Sequence, residues 1–328
     1  MNELTRRHLL GAGAAGLATA GWGGAAGAAR AADREARAER NPPFYRSRLG
    51  RAEITIVSDG TIGFPLDWLF PEVPEAELED FLAARYQPLD HLPLQVNPMV
   101  ADIGGRRVLI DTGCGTKFDP TAGRLPRNLR AAGIDPASID AVVVTHLHPD
   151  HVWGATDAEN AAPVFENAEI VVPAAELDYW NDPDLAERLE GDLARSVARS
   201  TFSHLRRLDD RLRPVEAPGE AVPGIRFMPT HGHTPGHASL LIESDGEALM
   251  STGDAVFHAF VLVERPDWHN VIDWDPEAAV ASRRAFLDQA AGERVRVFGF
   301  HMPWPGFGHV ARQGDAFRWI PEKWVWDG

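Results

Sequence analysis

The stretch THLHPDH at 145–151 places three histidines and an aspartate within six residues, directly after the apolar run DAVVV at 140–144. A short apolar run rich in valine is typical of a buried β-strand. The stretch is therefore expected to form the loop at the C-terminal end of that strand. Imidazole and carboxylate groups together are ligands that zinc and similar borderline cations accept. The stretch therefore predicts a metal site at one end of a sheet.

Within this stretch, the spacing of the side chains divides them between two cations. His146 and His148 stand two residues apart on extended backbone, so their side chains point the same way and can bind one ion. Pro149 then turns the chain, which lets Asp150 and His151 reach a second ion a few ångströms away. A solvated surface loop rarely collects this combination of residues, so we predict that two metal ions bind here.

Three further residues of metal-binding type also come just after predicted strands. They are His233 in HGHTPGH at 231–237, Asp254 in STGD at 251–254, and His301 in FGFH at 298–301. In layered α/β proteins, sites assemble where strands end at one edge of a sheet. His233 or His301 alone would more often be an ordinary histidine, but their order and context assign them to the same site.

Short apolar runs alternate with helical patterns from about residue 45 to the end of the chain. The runs predicted as strands are 53–58, 108–111, 140–144, 168–172, 225–229, 238–243, 247–252 and 295–300. The predicted helices are 75–86, 121–132, 174–208 (broken near Pro183) and 276–291. Strands interleaved with helices predict an α/β layered fold. We expect one domain over residues 45–328, made of two similar halves that meet near residue 210.

The bulk composition limits the partners that the protein can have. Its 328 residues are 44% hydrophobic and 24% charged, which is enough to bury a sizeable core. The formal net charge of −16 opposes binding to nucleic-acid phosphates or to an anionic membrane surface. We therefore expect a neutral or weakly polar small-molecule substrate, no nucleic-acid partner and no stable membrane association; a homodimer is compatible. Cys114 is the only cysteine, so no disulfide forms within the chain.

The N-terminal segment 1–31 has the pattern of a twin-arginine export signal. Arg6 and Arg7 precede a weakly apolar run of alanine and glycine, which ends in small residues suited to a signal peptidase. Residues 32–44 are mostly charged or small, lack apolar periodicity and are predicted to be a linker. These features predict a periplasmic or secreted protein. The alternative is a disordered tail rich in alanine and glycine.

The ordered series HxHxDH, GHTPGH, TGD and a final histidine resembles that of the metallo-β-lactamase superfamily, and it runs from residue 146 to residue 301. A closer likeness is to methyl parathion hydrolase and related lactonase-like hydrolases. That likeness is carried by SDGT at 58–61, GRLPRNLRAAG at 123–133, HPDHV at 148–152, THGHTPGH at 230–237 and HMPWPGFGHV at 301–310. The resemblance implies a four-layer αβ/βα sandwich with two mixed sheets.

The resemblance also implies a metal position for each candidate ligand. The first site would consist of His146, His148 and His233. The second would consist of Asp150, His151 and His301, and Asp254 would be the carboxylate that bridges the two ions. The expected cofactors are two divalent metal ions, with zinc as the expected metal.

The chemistry that this resemblance implies is hydrolysis. Two cations that share a bridging water lower its pKa towards neutrality, and the hydroxide so formed attacks a carbonyl or phosphorus centre. Asp150 and Asp254 are the expected catalytic carboxylates. Asp150 is often drawn as a proton acceptor in this superfamily, but as a metal ligand it is better described as a residue that orients the site.

Several other polar residues lie close to the ligands in sequence. We expect Asp111 to steady a ligand from outside the metal site. Three histidines are expected to hydrogen-bond the ligands, although placement at the surface or in the core suits them equally well: His231, His237 and His309. Cys114 fits either a small buried hydrophobe or a partly exposed thiol.

Aromatic residues near the motifs bear on the substrate pocket. Ten tryptophans exceed what the core needs, and Trp153, Trp180 and Trp304 are candidates for the wall of an apolar pocket. Trp153 stands where the superfamily motif has a small residue, so its ring is expected to narrow the pocket. In N-acyl-homoserine lactonases, a tyrosine three residues after the bridging aspartate assists the leaving oxygen. The matching residue here is Phe257, which has no hydroxyl to donate.

The leading hypothesis is an exported dinuclear metal-dependent hydrolase that acts on a neutral, moderately hydrophobic ester, phosphotriester or lactone. An N-acyl-homoserine lactonase, a quorum-quenching enzyme, is an alternative against which Phe257 argues. An iron-dependent persulfide dioxygenase is the alternative among oxidoreductases, because it keeps the same histidine motif. A metal-stabilised binding protein without catalysis is disfavoured by the complete ligand set. A β-lactamase is disfavoured because a bridging carboxylate such as Asp254 marks other branches of the superfamily.

Overall fold

The computed structural model describes residues 41–156 and 162–325 of the chain. The predicted signal peptide (1–31) and most of the predicted linker (32–44) lie outside the described residues. Phe44, which the sequence assigns to the end of the linker, begins the first strand instead. By internal contacts, one unit extends from Pro43 towards the C-terminus. Among the described helices, none is long and apolar enough to cross a membrane.

Each of the eight predicted strands and four predicted helical segments overlaps a strand or helix of the structure, and the described residues form further strands and short helices that were not predicted. The strands of the first half are β1 Phe44–Leu49, β2 Ala52–Val57, β3 Gly60–Pro65, β4 His91–Val96, β5 Met99–Ile103, β6 Arg106–Ile110, β7 Ala141–Val143, β8 Glu169–Pro173 and β9 Leu212–Val215. Those of the second half are β10 Gly219–Val222, β11 Ile225–Pro229, β12 Ala238–Ser244, β13 Glu247–Ser251, β14 Arg296–Phe298, β15 Phe307–Gln313 and β16 Ala316–Pro321. The α-helices of the described residues are α1 Leu66–Leu69, α2 Glu75–Ala83, α3 Leu125–Ala131, α4 Pro149–Val152, α5 Ala174–Trp180, α6 Leu185–Arg188, α7 Asp192–Arg207, α8 Val261–Glu264 and α9 Pro276–Glu293.

Each half of the described chain contributes one seven-stranded sheet. The first sheet has the order β1-β2-β5-β6-β7-β8-β9, and the second has the order β10 to β16 in sequence. β3 and β4 form a separate two-stranded sheet. The first sheet is mixed because β6, β7, β8 and β9 run parallel, and the second is mixed because β13 and β14 run parallel. The prediction of an α/β fold with two mixed sheets is confirmed.

Three apolar cores define the layers. Between the sheets, side chains of the first sheet such as Ile54 and Val143 share a core with Leu240 and Phe298 of the second. On the outer face of the first sheet, a second core includes helix residues such as Leu205 of α7. The third core includes Phe286 and Leu287 of α9. Each fully buried side chain of this kind contributes about 1.5–3 kcal/mol. The order of layers is helices, sheet, sheet, helices.

The segment 174–208, predicted as a helix broken near Pro183, forms α5, α6 and α7. A second break falls at Gly191, whose φ of +80° is a conformation that L-residues with a Cβ rarely adopt. The extra break separates α6 from α7.

The predicted helix 121–132 begins only at Leu125, as α3. The preceding loop is held by Asp59, a buried carboxylate that accepts hydrogen bonds from the backbone N–H groups of Gly123 and Leu125, at 3.0 and 2.7 Å. These N–H groups therefore have their hydrogen-bond partner in Asp59, and the residues before Leu125 form a loop and not a first helical turn.

Candidate metal centre

The loop after β7 carries four of the candidate ligands. His148 has extended backbone angles and directly precedes α4, and Pro149 occupies the first turn of that helix. Proline suits this position because its φ is already helical and its missing N–H would have no partner there. The turn places Asp150 and His151 on α4, whereas His146 and His148 precede that helix, in the loop after β7.

The other three candidate ligands come from loops of the second sheet. His233 lies between β11 and β12, Asp254 follows β13, and His301 follows β14. The backbone N–H of Ala238, at the start of β12, donates a hydrogen bond of 3.1 Å to the carbonyl of Thr145. This contact joins the two sheets at the edge where the seven side chains meet.

The first group consists of His146, His148 and His233, whose ligand nitrogens all lie within 4.8 Å of one another. Nε2 of His233 is 3.0 Å from Nδ1 of His148. Burial is the main cause that lowers the pKa of His148 to about 3, and the neighbouring ring of His233 acts in the same direction. A neutral imidazole is the form that binds a cation, so the ring of His148 is held in the form that a ligand needs.

The second group consists of Asp150, His151, Asp254 and His301, with ligand atoms again within 4.8 Å of one another. Nε2 of His301 lies 3.1 Å from Oδ2 of Asp150. Burial alone would lower the pKa of His301, but Asp254 and Asp150 outweigh it and raise that pKa to about 9. The two carboxylates thus favour a positive charge beside them, and a divalent cation would supply one.

Asp254 lies between the two groups, with one oxygen towards each. Its Oδ2 is 3.4 Å from Nε2 of His233 and 3.9 Å from Nε2 of His146. Its Oδ1 is 3.3 Å from Nε2 of His151 and 3.4 Å from Nε2 of His301. This is the placement of a carboxylate that bridges two ions.

Unpaired buried atoms test whether the residues fit metal ions. Nε2 of His146, Nε2 of His151 and Oδ1 of Asp254 are buried and have no hydrogen-bond partner among the described residues. Leaving such an atom unpaired costs about 1–3 kcal/mol. Cations bound by these lone pairs would remove that cost. The donor set of imidazole and carboxylate groups therefore fits two divalent cations.

Asp111 and His237 support the ligands from outside. Asp111 accepts a hydrogen bond of 2.9 Å from Nδ1 of His151 and one of 2.8 Å from the backbone N–H of Thr145. Nε2 of His237 accepts a hydrogen bond of 2.9 Å from the backbone N–H of Asp254. Asp111 therefore orients a ligand ring, and His237 orients the backbone of the bridging residue.

Asp273 supports the first group in the same way. Its Oδ1 accepts a hydrogen bond of 2.9 Å from Nδ1 of His233, which leaves Nε2 of that ring free for an ion. Its Oδ2 accepts from the fully buried Arg283 at 2.8 Å and from Asn270 at 2.6 Å. Burial alone would raise the pKa of Asp273, but the hydrogen bond from His233 and the charge of Arg283 outweigh it and lower that pKa.

Two histidines expected at the ligands lie elsewhere. His231 is exposed, and His309 is half-buried on β15, opposite Ile320 of β16. Within the described part of the chain, neither ring makes a hydrogen bond to a candidate ligand. The expected hydrogen bonds from these two histidines to the ligands are therefore not formed, and the alternative placement away from the ligands applies to both.

A cavity of about 460 Å³ reaches five of the candidate ligands: His148, Asp150, His233, Asp254 and His301. Its walls are largely apolar and include Phe64, Trp68, Leu94, Phe118, Tyr179, Trp180, Leu193, Val197, Phe257 and Trp274. Trp180 and Phe257 thus stand where the sequence places them, in the pocket wall. Cys114 is buried, as a small apolar residue would be.

Trp153 and Trp304 do not line this cavity, so their assignment to the pocket wall is wrong. The ring of Trp153 stacks on His204 at a centroid distance of 5.2 Å and meets the edge of Phe118. Trp304 packs against the core between the sheets. Trp153 supports the pocket only indirectly, because it backs Phe118, which does line it.

Asp273, Arg283 and Glu176 form part of the site's support but carry no local signal in the sequence. Asp273 lies in a loop, and Arg283 and Glu176 lie on helices, each far in sequence from the ligands it supports. A charged residue on a helical pattern is predicted to be solvated, whereas these three side chains are buried. Their role in supporting the ligands becomes visible only in the folded structure, where the helices pack on the ligand loops.

Residues 91–301 match the Metallo-beta-lactamase superfamily, and the chain belongs to that family. An N-acyl homoserine lactonase from Bacillus sp. is 28% identical over 203 residues, which cover 61% of this chain and 67% of the relative. AidC, a dizinc quorum-quenching lactonase solved with the product N-hexanoyl-L-homoserine, is 29% identical with a TM-score of 0.80, over 86% of this chain and 98% of AidC. The hydrolase AbOPH of the beta lactamase superfamily is 27% identical with a TM-score of 0.80, over 88% of this chain and all of AbOPH.

The fold, the two groups of ligands and these relatives define the class: the chain is a metal-dependent hydrolase of the metallo-β-lactamase superfamily with a dinuclear type of metal site.

Asp254→Ala is expected to lower the bound metal and to reduce kcat/KM by on the order of a thousandfold, because one carboxylate serves both groups. Elemental analysis and hydrolysis of a simple aryl ester measure the two effects. His231→Ala is the control, since that side chain is exposed and its ring makes no hydrogen bond to a candidate ligand among the described residues. Equal damage from His231→Ala at full metal occupancy would contradict the assignment.

Proposed function

We propose that the chain is a zinc-dependent hydrolase that cleaves a neutral, moderately hydrophobic ester, phosphotriester or lactone. The observation that carries this proposal is the cavity, which reaches five candidate ligands and whose described lining contains no lysine or arginine. An anionic substrate would meet no fixed cationic side chain there, whereas the aromatic walls offer apolar contact area. The net charge of −16 also disfavours anions at long range.

Some residues of the site would bind the metal ions, and others would line the cavity for the substrate. His146, His148 and His233 would hold one ion, Asp150, His151 and His301 the other, and Asp254 would join them. Bound divalent cations supply Lewis acidity and lower the pKa of a water molecule between them. Asp150 also lines the cavity, so its carboxylate would orient groups of the substrate as well as an ion.

Phe257 bears on the bond that is cleaved. Phe257 is among the residues around the cavity, and its side chain is fully buried in the cavity wall. The centroid of its ring lies 6.3 Å from that of His233. It stands three residues after the bridging aspartate and offers no proton to a departing oxygen. This supports substrates whose leaving group departs without help, such as aryl esters and aryl phosphotriesters.

A second candidate is an N-acyl-homoserine lactonase. It is favoured by the similarity to the Bacillus lactonases and to AidC, and an apolar cavity also suits an acyl chain. Phe257 is the residue that argues against it, so the two candidates differ in the leaving group that they predict.

The native protein is expected to hydrolyse a nitrophenyl ester or phosphotriester with a higher kcat/KM than an N-acyl-homoserine lactone, because a nitrophenolate departs unaided. Steady-state kinetics on both substrates, at one pH and with zinc saturating, give the comparison. Phe257→Tyr should raise the activity on the lactone relative to the aryl substrate. If the native enzyme prefers the lactone by tenfold, roughly 1.4 kcal/mol, the lactonase candidate replaces the first.

The protein purified without chelator is expected to contain close to two metal ions per chain, mainly zinc, because the two groups provide two complete donor sets. Elemental analysis measures both number and identity. A content near one ion would contradict the dinuclear proposal. Iron as the sole metal, together with oxygen consumption on a persulfide, would instead support the dioxygenase.

We also propose that the protein is exported by the twin-arginine route, on the support of segment 1–31. Replacing Arg6 and Arg7 together with lysines is expected to leave the precursor in the cytoplasm, because the transport machinery reads the arginine pair. Cell fractionation followed by immunoblotting measures the location. Arg30→Lys, which keeps the pair, is the matched control. Unchanged export of the double variant would contradict the proposal.

A further inference from the structure

Glu176 is a carboxylate on α5 with no exposed surface. Its Oε1 accepts hydrogen bonds from the backbone N–H of Leu147 at 2.9 Å and from Nε1 of Trp180 at 2.7 Å. Its Oε2 accepts from the hydroxyl of Thr234 at 2.7 Å and from the backbone N–H of Gly236 at 3.0 Å. Four donors thus converge on one buried side chain that touches none of the metal ligands directly.

These donors belong to the segments that build the first group of ligands. Leu147 stands between His146 and His148, and Thr234 follows His233 directly. The fourth donor, Trp180, lines the cavity, and its ring meets that of His148 at a centroid distance of 5.7 Å. One carboxylate therefore joins both ligand loops to each other and to the wall of the pocket.

We propose that Glu176 is a positioning residue that fixes the distance between the two loops of the first metal site, and so the affinity of that site for its ion. The proposal rests on the metal-binding part of the proposed function and is independent of the bond that is hydrolysed. The second site takes no ligand from the loop at 231–237, so Glu176 acts on it only weakly.

The contact between the second loop and α5 leaves no room for adjustment. A Cβ on Gly236 would lie 2.1 Å from the backbone nitrogen of Glu176, so the loop packs directly on the helix backbone. A distance under 3 Å would force the two segments apart. The carboxylate therefore spans a gap of fixed length, and Glu176→Asp, which is one methylene shorter, cannot reach both loops.

The four donors also explain why the side chain is a carboxylate and not an amide. Leu147 N–H, Gly236 N–H and the indole N–H of Trp180 can only donate, whereas the hydroxyl of Thr234 can rotate and accept. In Glu176→Gln, the amide NH₂ must therefore face at least one group that can only donate. That hydrogen bond is lost and the two loops are pushed apart.

The test is zinc binding without substrate, measured by competition with a chromophoric chelator. Glu176→Gln is expected to weaken the first site by roughly 10–100-fold while the second site keeps its affinity, the range usual for residues that support metal ligands. The same substitution is also made in a His301→Ala background, which lacks a ligand of the second site. The zinc-binding step that remains in that background is assigned to the first site. Equal weakening of both sites, or no change in either, would overturn the proposal.

Two controls separate positioning from general loss of stability. Asp59 is also fully buried and accepts three backbone N–H groups, from Cys114, Gly123 and Leu125. Asp59→Asn is expected to lower the unfolding temperature without weakening the first site selectively; a selective effect would overturn the proposal. Trp180→Phe removes one donor but leaves both loops joined, so KM should rise while zinc affinity stays near that of the native protein.

Should Glu176→Gln fail to fold, Thr234→Val provides the second variant. It removes one donor from the loop that carries His233 and leaves the carboxylate with three partners. A smaller loss of zinc affinity, confined to the first site, is expected. Native affinity at the first site in this variant would contradict a role for Glu176 in holding that loop.

Discussion

The site depends on the carboxylate of Asp254, because its two oxygens lie close to histidine ligands from the loops of both sheets. Its two oxygens lie within 4 Å of nitrogens in His146 and His233 on one side and in His151 and His301 on the other. Reaching all four requires the ends of β7, β11, β13 and β14 to meet at one edge. Gly253 allows this approach: its φ is +50°, and a Cβ there would lie 2.6 Å from Nε2 of His237. The packing of the two sheets therefore also fixes the orientation of the Asp254 carboxylate.

Burying two carboxylates and five imidazoles together is unfavourable unless each is paired. The chain meets this requirement by giving several rings a partner on the side away from the metal site: Asp111 for His151, Asp273 for His233 and the backbone carbonyl of Gln95 for His301. Each contact fixes which ring nitrogen faces the site. The histidines are therefore oriented by the protein before an ion binds, and Arg283 extends the support by balancing the charge of Asp273.

The ligands could be predicted from the sequence because their signals are local. β7 and β8 are buried almost throughout and read as continuous apolar runs, so the loop that follows β7 is easily placed. β3 and β4 were not predicted, since glycine and proline interrupt them and they pair only with each other. The support residues Glu176 and Arg283 were not predicted for a different reason. Their role depends on which helix face meets which loop, and an isolated helical pattern does not contain that information.

The two sides of the cavity differ in how strongly they can discriminate between substrates. The metal side of the cavity is fixed by hydrogen bonds and charges, whereas the opposite side is formed by apolar side chains, several of them exposed: Trp68 at 37%, Leu193 at 61% and Trp274 at 53%. Apolar contacts are not directional, and one methylene more or less changes binding by only about 1–3 kcal/mol. Strong discrimination needs buried polar groups that an unsuitable substrate would leave unpaired. Under the proposed function, the apolar walls of this cavity would select a substrate by its overall size and by the reactivity of its bond, with broad tolerance for its apolar part.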